Sequence, residues 1–262
     1  MNRLTNTGQL EVFGEFAKVY DRLMNKDKYV GWGRIIEDVV KKYSIPRGRC
    51  LDIACGTGVI SGLLLKQGFG IIGLDISDDM IKIARVNYPK ANFIEADIRD
   101  FNIEERDRKK IVMAVSFYDS LNYLLSDEDM LKMFESVARN LPDETIFLFD
   151  MNTRDHVSVF QQTAPKIFED SESYITLRYS GEGRLWVIDI DFFLKQPGGL
   201  FERHKEHHVE RGYDEGDIAP MLKKTGFNLL EVRKENKIYE DGKEYLSRLY
   251  FVARKGKDTA AH

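Results

Sequence analysis

Residues 51–62 read LDIACGTGVISG, and few folds accommodate that order of residues. Leu51 and Ile53 suit a buried strand that closes on the acid Asp52. Gly56 and Gly58 suit a tight turn that needs positive φ and lets the backbone approach a ligand closely. Thr57 to Leu65 suits a packed helix. A strand, a glycine loop and a helix at the start of an α/β unit is where such folds hold a nucleotide-like cofactor.

The chain repeats the alternation. GIIGLD (70–75) predicts a second strand, and SDDMIKIARVNY (77–88) a helix with Ser77 as N-cap and two aspartates in its first turn. ANFIEAD (91–97) predicts a third strand. KKIVMAVSF (109–117) is a near-continuous apolar run of the kind buried in parallel sheets. SDEDMLKMFESVARNL (126–141) predicts a helix capped by Ser126, and ETIFLFDM (144–151) a fifth strand. From about 49 to 151 this predicts a doubly wound α/β sheet. Ahead of it, 14–24 and 28–43 predict two helices, the second with a stripe of Trp32, Ile35, Ile36, Val39 and Val40.

Past residue 151 the pattern changes. SYITLRYS (173–180), RLWVIDIDFFLK (184–195) and LFERHKEHHVERGY (200–213) alternate, are joined by GEG and QPGG turns, and have no helix between them. They predict an antiparallel meander. DEGDIAPMLKKTG (214–226) predicts a helix, and FNLLEVRKE (227–235) and EYLSRLYFVARK (244–255) two closing strands. The expected organisation is a helical cap at 1–46, an α/β unit at 47–255 carrying an antiparallel β insertion at 160–212, and a polar tail at 256–262.

Composition narrows the function. Lys and Arg number 39 against 43 Asp and Glu, for a net charge of −4, which weighs against a nucleic-acid partner bound by charge alone. No run approaches ~18 apolar residues, so no membrane span is expected, and MNRLTNTGQLEVFG lacks the apolar stretch of a signal peptide. The two cysteines, Cys50 and Cys55, are not spaced as CxxC and read as buried thiols in a reducing cytoplasm.

The loop itself excludes two cofactor classes. Counting from Gly56, the sixth position of a GxGxxG dinucleotide fingerprint is Ser61, with Gly62 one residue off. GxxxxGK[ST] is missing too, and no Lys or Arg follows the glycines until Lys66. Three acids instead close successive strands: Asp52, Asp75 and Asp97. All three fall at the carboxyl edge of the sheet, where ligands bind. A carboxylate at Asp75 suits both ribose hydroxyls. Asp97 followed by Ile98 suits an exocyclic amine and the face of an adenine ring. An acid-lined site favours a ligand with ribose, adenine and positive charge over one with phosphates.

LDIACGTG, GLDISDDMIKIAR and EADIRDF together resemble the successive motifs of class I S-adenosylmethionine-dependent methyltransferases, over about 50–150. YDRLM and the ERHKEHHVERGYDEGDIAPMLKKTGF segment extend the likeness to bacterial small-molecule members similar to amino-sugar N-methyltransferases. The resemblance implies a Rossmann-like, seven-stranded sheet of order 3-2-1-4-5-7-6 with the last strand antiparallel. It implies that Ala54 and Gly56 approach the methionine part of the cofactor and that Asp52 orders the loop. It gives Asp75 the ribose, Ile76 and Met80 the flanks of the adenine, Asp97 and Ile98 the adenine itself, and Ser116–Phe117 the methionine side. Tyr20 and Trp32 would close over the cofactor from the N-terminal helices. The first glycine of the family's DxGxGxG is Ala54 here.

Methyl transfer needs an acceptor aligned with the S–CH3 bond and a route for one proton. FYDSLNYL (117–124) follows the fourth strand, so Tyr118 and Asp119 are candidate catalytic residues and Asn122 and Asn152 candidate substrate contacts. His208, on the insertion, is a candidate general base. His204, Glu206 and His208 would share one strand face, but the surrounding alternation of charges reads as a solvated strand, and no metal site is expected. Base and glutamine-amide methyltransferases carry [ND]PP[YF] where this chain has SFYD. Cytosine C5 chemistry needs a cysteine in that region, and none is there. The expected reaction is methyl transfer to a small molecule, at nitrogen first and at oxygen second. An RNA or protein methyltransferase, a nicotinamide oxidoreductase and a non-catalytic S-adenosylmethionine sensor stand as alternatives. The resemblance also implies that 160–212 forms a lid or pairs two copies as a homodimer.

Overall fold

The computed structural model describes Ala17, Tyr20 and residues 26–238 and 242–257, with residues 26–28 as backbone only. The rest of the expected 14–24 helix, and the tail beyond Lys257, lie outside the described residues. The first long helix, α1 (Lys26–Lys42), turns Trp32, Ile36 and Val39 inward and ends in Lys41 and Lys42, the charge that suits a helix carboxyl end.

Then β1 (Arg49–Ile53), α2 (Val59–Lys66), β2 (Gly70–Asp75), α3 (Asp78–Asn87) and β3 (Asn92–Glu95) alternate as expected. A single turn, α4 (Glu105–Arg108), leads to β4 (Ile111–Ser116). A 3-10 turn at Ser120–Tyr123, α5 (Asp127–Asn140) and β5 (Ile146–Asn152) complete the parallel half. Ser77 and Ser126 each accept a backbone N–H at the start of their helices, from Met80 and Asp129.

The main sheet has the order β3-β2-β1-β4-β5-β11-β10, where β10 (Phe227–Ile238) and β11 (Glu244–Lys255) close the chain. Strands β1 to β5 pair in parallel and β11 runs antiparallel to both β5 and β10. This is the expected 3-2-1-4-5-7-6 Rossmann-like arrangement. Every residue of β5 is buried, as a central strand covered on both faces requires. Alternation divides its side chains: Phe147, Phe149 and Met151 join Phe134 and Phe251 on one face, and Ile146 and Leu148 join Trp32, Leu64 and Val252 on the other.

The second sheet is antiparallel, with order β6-β7-β8-β9: β6 (Lys166–Glu169), β7 (Ser173–Ser180), β8 (Leu185–Lys195) and β9 (Phe201–Arg211). It joins the main sheet through a helix, α6 (Arg154–Gln161). Thr153 caps that helix by accepting the His156 N–H. After β9, α7 (Glu215–Lys224) returns the chain to β10. None of the described helices is long and apolar enough to cross a membrane.

Candidate functional site

Parallel strands end together, so the loops after β1, β2 and β4 meet above the carboxyl edge of the sheet. They border a cleft that opens to solvent. Asp52, Ala54, Gly56, Asp75, Met80 and Phe117 line it, with Tyr118 and Ser120 on the β4 side and Tyr20 and Tyr29 above. No Lys or Arg is among the described lining residues.

The loop after β1 is held open by its backbone. Ala54, Gly56 and Gly58 all have positive φ, at 55°, 54° and 85°. At Gly58 a Cβ would stand 2.9 Å from the Tyr88 ring and 3.1 Å from Phe93, so glycine is required on two counts. Across the cleft, Tyr118 and Asp119 also have positive φ, at 69° and 53°. A non-glycine residue in that region costs on the order of 1–2 kcal/mol, and here three such residues sit at one cleft. Strain of this kind collects at ligand sites.

The two cleft carboxylates have different surroundings. Asp75 accepts the Gly56 N–H at 2.8 Å and the Ser77 N–H at 2.9 Å, which ties the β1 loop to the end of β2. Burial pushes its carboxyl above the usual value, and these backbone donors pull it back only in part. Asp52 is 1% exposed and accepts the Ser61 hydroxyl at 2.6 Å. Burial, opposed by that bond and reinforced by Asp75, raises Asp52 to about 7. Ser61, the residue that breaks the dinucleotide fingerprint, is therefore the partner of the loop's first acid.

The structure places the remaining sequence candidates in several environments. Trp32 is 2% exposed and packs against Phe117, Tyr118 and Tyr29, so it lies under the cleft wall instead of lining it. Ile76 is 55% exposed beyond the end of β2. Asp97 lies outside the cleft lining, with both oxygens on Arg99; burial pushes its carboxyl up, and Arg99 outweighs burial and holds it below the usual value. Ile98 packs on the Phe134 side of the sheet. Ser116 closes β4 with its hydroxyl buried and without a hydrogen-bond partner among the described residues, a donor left over for something else.

Asn122 and Asn152 turn to each other. Asn122 Oδ1 accepts the Asn152 N–H at 3.0 Å, and its Nδ2 donates to the carbonyls of Asn152 and Arg211. Asp119 accepts from Arg248 at 2.7 Å, while the same guanidinium donates to Asp150 at 2.6 Å and to Asn152 at 2.9 Å. Arg248 also lies 5.8 Å over the Trp32 ring. Burial would discharge the guanidinium, but Asp150 and Asp119 more than compensate and keep it charged. His208 is 2% exposed, with Nδ1 2.9 Å from the Tyr123 hydroxyl and Nε2 2.9 Å from Glu206. His204 stacks on Phe192, and His207 pairs with Asp189 on the other face.

Sequence reasoning passed over Tyr29, Tyr123, Glu210, Asp150 and Arg248, and weighed Glu206 only as a metal ligand. A signal existed for Glu210: it stands two residues beyond His208, as Glu206 stands two before, so a strand aims all three the same way. Arg248 and Asp150 come together only through the β5–β11 pairing, which spacing along the chain does not reveal.

The donor set fits a cationic adenosyl cofactor: carboxylates at Asp52 and Asp75, no basic side chain among the described lining residues, and the N-terminus of α2 as the positive end of the cleft. The comparisons agree with that fit. A methyltransferase domain family matches residues 50–144. A Bacillus subtilis (strain 168) protein carrying the provisional name methyltransferase YqeM is 33% identical over 252 residues, 94% of this chain and 98% of that one. The dTDP-3-amino-3,4,6-trideoxy-alpha-D-glucopyranose N,N-dimethyltransferase of Streptomyces venezuelae is 32% identical over 220 residues, 82% of this chain and 91% of that one. Among solved structures, an S-adenosylmethionine-dependent methyltransferase from Clostridium acetobutylicum ATCC 824 superposes with a TM-score of 0.78 at 25% identity, covering 94% of this chain and all of that one.

Proposed function

Because the chain belongs to the S-adenosylmethionine-dependent methyltransferases, we propose that its acceptor is a small molecule and that the methyl group goes to nitrogen. The cofactor supplies a sulfonium-activated methyl group, and the chain supplies position and a proton route. One observation carries the nitrogen reading: the wall beyond Tyr118 is built of buried carboxylates and tyrosines, at Asp119, Tyr123, Glu206 and Glu210. Such a wall favours an acceptor that arrives with positive charge. The aminosugar dimethyltransferase among the relatives supports the same reading.

In this assignment Asp75 takes the ribose hydroxyls, and Asp52 faces the amino group of the methionyl part. The free N–H groups of α2 face its carboxylate, and Met80 and Phe117 supply apolar walls. Ser116 offers its spare hydroxyl on the methionine side. Asp97 and Ile98 keep the adenine edge, Asp97 sharing its oxygens with Arg99. Tyr20 and Tyr29 close over the cleft. Asn122, Asn152 and Asp119 act by holding the wall in place, since their polar atoms are committed to one another and to Arg248.

The proton leaves through Tyr123, His208 and Glu206. With Glu206 accepting at Nε2–H of the neutral ring, Nδ1 is left to accept the Tyr123 hydroxyl proton. The tyrosine oxygen then presents a lone pair to an incoming N–H. His208 stands behind that oxygen as the base, and Glu206 steadies the charge it gains. The second sheet covers this wall, and we assign it the part of a lid whose outer face pairs two copies, in a cytoplasmic enzyme. Titrating S-adenosylhomocysteine into the full chain, then following its release from S-adenosylmethionine with matched amines and alcohols, tests the reading. Turnover with alcohols alone would refute it.

A further inference from the structure

Of the acids Asp119, Asp150, Glu206 and Glu210 behind the cleft, Glu210 alone forms no ion pair with a described residue. It is 2% exposed, on β9 opposite Trp186. Oε2 accepts from Asn152 Nδ2 at 3.2 Å, and Oε1 accepts no hydrogen bond from any described residue. No described Lys, Arg or His forms a salt bridge with it. Arg248, the nearest buried cation, already divides itself between Asp119 and Asp150, and His208 is taken by Glu206.

The groups facing Glu210 make the imbalance plain. Asp150 and Asn152 face it from β5, Arg248 from β11, Asp119 from the loop after β4, and Tyr118 and Tyr123 from either side of that loop. Burial, and Asp119 next, push its carboxyl well above the usual carboxylate range. A buried acid without a counter-ion is costly to the fold. Yet Glu210 is tied through Asn152 and Arg248 to Asp119, whose neighbour Tyr118 borders the cofactor cleft.

We propose that Glu210 is the acceptor-binding carboxylate, and that the cation missing from its surroundings is a primary or secondary ammonium group on the substrate. The inference rests on the methyltransferase reading and adds to it the residue that meets the acceptor's charge. It also accounts for the surplus of acids in the wall: Asp119 and Asp150 share one guanidinium, Glu206 is hydrogen-bonded to His208, and Glu210 is reserved.

Sinefungin is the probe. It occupies a cofactor site and carries an ammonium-bearing carbon where S-adenosylmethionine has its methylsulfonium. Calorimetry on the full chain should show sinefungin binding about tenfold more tightly than S-adenosylhomocysteine. Glu210→Gln should remove that preference, leave S-adenosylhomocysteine affinity unchanged, and leave the melting temperature equal or higher, because an amide at this site needs no counter-ion. A preference unchanged in Glu210→Gln overturns the proposal. So does a variant that melts earlier and loses S-adenosylhomocysteine as well, which would make Glu210 a structural partner. Failure of the unmodified chain to bind S-adenosylhomocysteine at all would instead strike the cofactor assignment beneath it.

Discussion

Ser61 donates its hydroxyl to Asp52 Oδ2 at 2.6 Å, nine residues back in the chain and across the glycine turn. The bond clamps the first helical turn of α2 to β1 and fixes the acid at the floor of the cleft. It is also the main force that opposes burial in setting the proton affinity of Asp52.

That balance gives a pH-dependent stability. Asp52 binds its proton more tightly folded, at about 7, than unfolded, near 3.8. The folded state thus holds more protons between those values, and its stability falls as pH rises through that window. The cost is fully present above about pH 7 and corresponds to roughly 4 kcal/mol at most. Asp52→Asn removes it while keeping an oxygen for Ser61. Urea unfolding should find the variant increasingly more stable than the parent from pH 4 to pH 8, and a pH-independent difference would contradict the account. The same variant should bind S-adenosylhomocysteine more weakly.

The glycine loop gives a graded pair of substitutions. Gly58→Ala must adopt φ near 85° and meet Tyr88 and Phe93, and should lose about 1–3 kcal/mol. Gly56→Ala has φ near 54° and open space around its Cβ, and should lose about 1 kcal/mol. Thermal unfolding of both checks the order, and equal losses would contradict it.

Arg248→Met should be among the most damaging single changes in the main sheet. It leaves Asp119 and Asp150 buried with no counter-ion, a loss of about 3–5 kcal/mol. Restoring the parent's net charge by adding Asp150→Asn to Arg248→Met should recover part of it in denaturant titrations. Additive losses in the double variant would rule out the pairing as the cause.

Asp75→Ala removes the acceptor for the ribose and unties the β1 loop from β2. Hydrogen bonds to a charged group are worth about 1.5–3 kcal/mol each, so calorimetry should show S-adenosylhomocysteine affinity falling by about a hundredfold. Unchanged affinity would remove Asp75 from the site. His208→Gln, by contrast, should leave that affinity alone, lower kcat by about 10²-fold or more and leave KM for an amine acceptor near its starting value.

Much of this was legible along the chain because it is local. LDIACGTG, GIIGLD and the two serine caps each specify their element within a few residues, the βαβ alternation specifies a doubly wound sheet, and the strand order is what the family resemblance implies. The second sheet was legible for the same reason, since its turns and alternation are contiguous. The wall of the site was not. Asp119 reads as a candidate catalytic acid until Arg248 is beside it, and Arg248 arrives from a strand 129 residues later. Trp32 reads as a cofactor lid until it is seen packed beneath Tyr118. Asp97 reads as a free carboxylate until Arg99, two residues on, takes both its oxygens. In each case a long-range contact or a committed side chain decided the role, and one-dimensional spacing carries neither.

Mass spectrometry of the product formed from S-adenosylmethionine and matched pairs of amino sugars and their hydroxyl counterparts tests the central claim most directly. The account predicts methyl groups on the amino nitrogen, with S-adenosylhomocysteine accumulating only when an amine is present. Methylation of the hydroxyl compounds with the amines left untouched would contradict it.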